Sequence, residues 1–273
     1  MMQVFKTIVT NSILREIRSK ALFLFTFFSL ILICLVNLGI NLIFEHLVDP
    51  SLGSMIGNQS LFIVNGVLEF WSIFLAIILG TSSVNFDEET RILPLILTQP
   101  ISRTTYLLAR VLGTWIIVLG YYFVTLLFAG ILFSITSNES ILGMDLFLAT
   151  LPNVLKCLGV IVLSMFFSNW LPRFANFVSM FILMFTLFLS SQAFFGAEIA
   201  ERFNGDMTIL KSIAVVLYMI FPRFSVLGKI SSSFISEESL PAETIALQIG
   251  HFLLVTGGFL AIYRFYFSRK DVS

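Results

Sequence analysis

The sequence predicts an all-α polytopic membrane protein, and three observations carry that prediction. Only 12% of its 273 residues are charged while 58% are hydrophobic; a soluble domain carries about 25% charged residues, and half that fraction cannot cover its surface. Mean hydropathy is +0.98. The apolar residues also fall in runs close to the roughly 20 residues that cross a hydrocarbon core as a helix. Lipid offers the backbone no hydrogen-bond partners, so a run that spans must be helical.

Six runs meet that length, at about 21–44, 62–84, 107–134, 147–168, 174–195 and 245–267. The first is uncharged, longer than a signal-peptide core and without a small-x-small cleavage pattern at the usual place, so it reads as a retained span. The second contains Glu69, and the fourth contains Pro152 and Lys156. A proline is tolerated in the first helical turn, so Pro152 fits a span that starts just before it; deeper in, it would mean a kink.

Ahead of the first span, residues 1–20 place Val4, Phe5, Ile8, Val9, Ile13, Leu14 and Ile17 at threes and fours, with Lys6, Arg15 and Arg18 largely off that stripe. This is the pattern of a helix lying in the headgroup layer. Between the fifth and sixth runs, residues 196–244 form a long connection containing "TILKSIAVVLYMIFPRFSVLGKI". Its run 212–221 is too short to cross and too apolar for free loop, so a helix packed on the end of the bundle, or dipping part-way in, is expected. No internal repeat or second domain is visible, and 1–273 reads as one transmembrane domain.

Basic residues set the orientation. With the N-terminus in the cytoplasm, Lys6, Arg15, Arg18, Lys20, Arg91, Arg103, Arg110, Arg173, Arg264, Arg269 and Lys270 fall inside, against Arg202, Lys211, Arg223 and Lys229 outside. That bias favours both termini inside a cytoplasmic membrane.

Several chemistries are missing from the text of the chain. The 16 basic and 16 acidic residues cancel, which gives no cause to expect a nucleic-acid partner. Cys34 and Cys157 lie in apolar runs and read as small core hydrophobes. His46 and His251 have no metal-ligand spacing, no triad or carboxylate pair emerges, and no G-x-x-x-x-G-K-[ST] occurs. The chain is therefore expected not to be an enzyme and to hold no cofactor. Polar groups within spans are costly and mark function by default, which singles out Asn37, Asn41, Glu69, Lys156 and Gln192 as candidates for a translocation path. Asn and Gln also simply hydrogen-bond across helices, and Lys156 could snorkel outward.

One stretch breaks the apolar pattern. In "FDEETRILPLILTQPISR", Asp87, Glu88 and Glu89 precede a run, 92–97, too short to cross. Acids favour a helix start, Thr90 can serve as N-cap, Pro94 then falls in the first turn and Pro100 marks the stop. A short helix on the cytoplasmic surface, within 87–103, is predicted.

The wider segment "EETRILPLILTQPISRTTYLLARVLG" resembles the first cytoplasmic loop of ABC-2 type transporter permeases: an acid, Gly-Thr-Leu, an apolar triplet, a short polar pair, Pro-[IV]-Ser-Arg and a Leu-x-x-Gly-Lys run. Glu89, Leu95, Ile96, Leu97, Pro100, Ile101, Ser102, Arg103 and Leu107 occupy those places. Arg91 stands where the family usually has glycine, Pro94 where it often has glutamate, and Ala109-Arg110 replaces Gly-Lys. "FPRFSVLG" is similar to the Pro-[NR]-Phe-Ser element many of these permeases carry before their last span. The layout looks most like the permeases of copper-enzyme maturation and gliding motility.

The resemblance implies a membrane subunit of an exporter. Its coupling helix would dock into a separate ATP-binding subunit through Glu88, Glu89, Arg91, Leu95, Ile96, Leu97, Pro100, Ser102 and Arg103. ATP and Mg would be bound by those partner subunits, and a second permease copy, identical or paralogous, would complete the pathway. Membrane lipids, and extracytoplasmic accessory proteins at 196–244, are further expected partners. Two other readings stay open on the residues alone: an ion-coupled secondary transporter using Glu69 and Lys156, and a non-transporting membrane scaffold.

Overall fold

The computed structural model describes residues 2–18, 20–47, 53–90, 102–137, 143–195, 216–236 and 240–269. They form α1 (Met2–Ile17), α2 (Lys20–Leu47), α3 (Gly53–Glu89), α4 (Arg103–Ser137), α5 (Met144–Phe167), α6 (Arg173–Phe195), α7 (Phe224–Ser236) and α8 (Ala242–Arg269), with a further helical turn over 216–220. No strand occurs among the described residues.

Five of these helices are long and apolar enough to cross a membrane, over Leu22–Leu42, Phe62–Asp87, Arg103–Thr136, Leu146–Phe167 and Ala242–Arg269. They fall on five of the six predicted runs. The sixth run, 174–195, is also a helix, α6, whose apolar stretch among the described side chains is the shorter Arg173–Phe188. Hydropathy underestimated α3 and α4, because polar and charged residues at their ends extend the helix beyond the apolar part.

The helices pack around α5. Two thirds of its apolar window is buried, against 22% for α2 and 11% for α8, which places α5 at the centre and those two at the rim. Val160, Ile161, Val162, Leu163 and Met165 of α5 are all at most 1% exposed. The α3–α5 crossing is close because Gly80 has no side chain: a Cβ there would stand 2.9 Å from the Ser164 Cβ and 3.2 Å from the Ile161 backbone. Small residues at a crossing let backbones approach, which is how helices associate when lipid supplies no hydrophobic drive.

Two local expectations are revised, for Pro152 and for the three acids. Pro152 does not open α5: the helix starts at Met144, so the proline lies in its interior and removes one ladder bond there. Thr90 follows the last turn of α3, its amide donating to the Phe86 carbonyl at 3.0 Å and its hydroxyl at 2.6 Å; the short surface helix it is expected to cap, with Pro94 and Pro100, lies outside the described residues. Asp87, Glu88 and Glu89 end α3 rather than begin a new helix. Acids at a helix C-terminus oppose its dipole, and two of the three are neutralised by cations from other helices, Asp87 by Arg110 and Arg15, Glu89 by Arg173.

The amphipathic stripe of α1 also shifts. Ile8 is buried as expected, but Leu14 and Ile17 are exposed, while Ser12 and Glu16 are buried against the bundle. The buried face thus runs through Ile8, Ser12 and Glu16 at intervals of four, and two of those three are polar. That face follows α4. The helix α7 is also drawn inward, with Phe224, Val226, Leu227, Ile230, Ser231 and Ile235 buried among α3, α5 and α8.

Candidate functional site

Two polar clusters lie about 27 Å apart along α3, the 18 residues from Glu69 to Asp87 at 1.5 Å each. One is at the end where α3 closes and α4 opens. The other is deep in the opposite half.

At the first, the sequence Ser102-Arg103 starts α4. Ser102 is its N-cap, with its hydroxyl oxygen accepting the Thr105 amide at 3.1 Å. Arg103 reaches the end of α8 and donates to the carbonyls of Phe267 at 3.0 Å and Ser268 at 2.9 Å, satisfying acceptors that a helix C-terminus leaves open. One turn on, Tyr106 and Arg110 point to Asp87. The tyrosine hydroxyl donates to Asp87 Oδ2 at 2.5 Å and the Arg110 guanidinium pairs with the same oxygen, while Arg15 of α1 donates to Oδ1 at 3.2 Å. Arg110 also donates to the Ser12 hydroxyl at 2.8 Å, and Arg15 pairs with Glu16.

Asp87 is 2% exposed and Arg110 6%. A carboxylate buried this far keeps its charge only where cations and hydrogen bonds replace water. Both of its oxygens are matched here, so three helices, α1, α3 and α4, are fastened at one carboxylate. On the surface, Glu89 and Arg173 meet at 2.7 Å and tie α3 to α6. Exposed as both are, that pair adds little stability.

In the second cluster, Glu69 of α3 and Lys156 of α5 form an ion pair. The lysine side chain is 3% exposed and the glutamate 23%. Gly228 of α7 lies against them: a Cβ there would stand 3.0 Å from Lys156 Nζ and 3.5 Å from Glu69 Oε1. Beside the pair, Asn65, Tyr122, Asn153 and Ser231, from α3, α4, α5 and α7, form one hydrogen-bonded group. The Asn153 amide lies 3.1 Å from Asn65 Oδ1, 3.1 Å from the Tyr122 hydroxyl and 3.0 Å from Ser231 Oγ, which donates to the Ala149 carbonyl at 2.7 Å. All four side chains are buried. The Ser231 hydroxyl thus bonds α5 at Ala149, next to Leu148, the residue whose carbonyl loses its ladder N–H at Pro152.

The sequence-predicted path residues separate. Glu69 and Lys156 are brought together. Asn37 instead donates to Thr136 at 3.0 Å, joining α2 to α4, and Asn41 is half-buried on α2. Gln192 is in α6, with its side chain outside the described residues. Of the expected docking residues, Glu89, Ser102 and Arg103 are placed as above, and the backbone of Glu88 is in α3. Arg91, Leu95, Ile96, Leu97 and Pro100 lie outside the described residues.

Asp87's partners Tyr106 and Arg110, and the Asn65–Asn153–Ser231–Tyr122 group, were missed from sequence. A signal was available for two of them, since Asn65 and Asn153 are polar residues inside predicted spans.

No protein-family model, no curated protein and no solved structure matches the chain. The class is set by the fold: this is a polytopic, largely α-helical membrane protein with several long apolar helices.

Proposed function

We propose that the chain is the permease subunit of an ABC-2 type transporter, exporting or extracting a substrate across the cytoplasmic membrane, with ATP hydrolysed by separate partner subunits. The observation that carries this reading is the charged base. The segment 91–101 leaves α3 three residues after Asp87 and re-enters at Ser102, so both of its ends are fixed to one fastened set of helices. A push on that segment is therefore delivered to α1, α3, α4, α6 and α8 together, which is what a coupling element requires. In this reading both termini are cytoplasmic, six helices span, and α7 enters from the opposite side.

Glu89 and Arg103 make contacts within the chain, so reversing their charges would disturb the bundle as well as any docking. Ile96→Asp is the cleaner test. Co-expressed with its cognate ATP-binding protein, the native chain is expected to retain that protein through affinity purification, and Ile96→Asp to lose at least about tenfold of it at unchanged yield and unfolding temperature, as a buried anchor at an interface would. Retention equal to the native chain sinks the docking assignment.

The buried pair Glu69–Lys156 favours a second reading, ion-coupled transport without ATP. Uptake driven by an ion gradient into vesicles holding this chain alone would support it.

A further inference from the structure

Between α3 and α6 runs a groove of about 460 Å³ lined by Phe70, Phe74, Phe181 and Phe185 among others, with Glu69 the one charged residue among the described residues that line it. The Glu69 side chain is part of that lining, among aromatic residues, and is 23% exposed. Lys156 lies behind, buried, and pairs with Oε1.

Asp87 shows how a buried carboxylate is saturated in this molecule: one oxygen takes a guanidinium and a phenol, the other a second guanidinium. Among the described residues Glu69 is matched on one oxygen only. Lys156 is its single hydrogen-bond donor there, and Gly228 keeps side-chain bulk away from the pair. The carboxylate therefore has capacity for a second cation, approached from the groove. Aromatic faces attract cations by their quadrupole, most where water is excluded, and an apolar body would fill the rest of the volume.

We infer that the α3–α6 groove is a binding site for lipophilic cations, with the cationic centre at Glu69 and the apolar body against Phe70, Phe74, Phe181 and Phe185. An anion of the same shape is rejected by the same carboxylate. The site does not depend on an ATP-binding partner.

The test uses the full chain in lipid nanodiscs, with tetraphenylphosphonium as probe and tetraphenylborate, its anionic counterpart of the same shape, as control. Equilibrium dialysis against empty nanodiscs is expected to show saturable binding of the cation, about tenfold or more tighter than the anion. Glu69→Gln, which keeps the volume and an acceptor for Lys156, is expected to lose about tenfold of that affinity, and Phe185→Leu several-fold with the charge pair left intact. Equal binding of cation and anion, or full affinity in Glu69→Gln, would show a lipid-facing apolar surface and overturn the site. Because no ATPase is present, that failure would leave the proposed partnership untouched.

Discussion

Asp87→Ala is expected to lower the apparent unfolding temperature in detergent by about 10 °C, the equivalent of some 3–5 kcal/mol for a chain of this size. The loss comes less from the missing contacts than from what they leave. Arg110 is 6% exposed and its Nε has no hydrogen-bond partner among the described residues; without Asp87 its charge keeps only neutral company there, the Ser12 hydroxyl and the face of the Tyr106 ring. Arg15 keeps Glu16, so the damage falls on the α3–α4 joint. Asp87→Ala combined with Arg110→Leu is expected to recover more than half the loss, since an apolar replacement of a whole buried pair is often neutral. Thermal unfolding followed by circular dichroism checks both. A drop under about 2 °C for Asp87→Ala would mean the cluster does not fasten these helices.

The second large effect is at the other cluster. Lys156→Met leaves the Glu69 carboxylate facing apolar side chains with no cation, and a loss of about 3 kcal/mol is expected. Glu69→Gln leaves Lys156, 3% exposed, with an amide oxygen in place of its counter-charge, and a loss of similar size is expected. The double variant is expected to return to within about 1 kcal/mol of the native chain. Unfolding in mixed micelles gives all four corners of this cycle, and additive single effects would contradict a direct pair. The same comparison separates transport from scaffold: if the pair only fixes packing, the stable double variant retains every activity of the native chain.

Much of the fold could be read along the sequence. Runs near 20 apolar residues located the five long helices and α6, because bilayer thickness and backbone hydrogen bonding leave little choice. Glu69 and Lys156 were visible for the same reason, as charges where charge is expensive. What could not be read was pairing. Asp87 stands 23 residues from Arg110 and 72 from Arg15, and nothing local to "FDEET" says that its first acid turns inward to close α3. Read locally, three acids before a proline signal a helix start; the cations that reverse that meaning arrive from other helices. Ser231 was hidden differently. It sits in a polar-looking "SSS" of the long connection, and only the inward packing of α7 makes it a buried partner of Asn153.

Arg103 carries two meanings at once. The resemblance assigns it to a partner, and the structure has it hold the last carbonyls of α8. Both are served if the docking surface is the segment before it and Arg103 transmits what that segment receives.

The central claim, that residues 91–101 meet an ATP-binding subunit, is tested most directly by a photo-crosslinking residue at Leu95 in cells, with the same residue at Leu35 on the exposed face of α2 as control. The account predicts that Leu95 captures a protein identified by mass spectrometry as carrying a Walker loop, in ATP-dependent yield, and that Leu35 does not. Capture of no such protein at Leu95, from cells in which that protein is present, would contradict it.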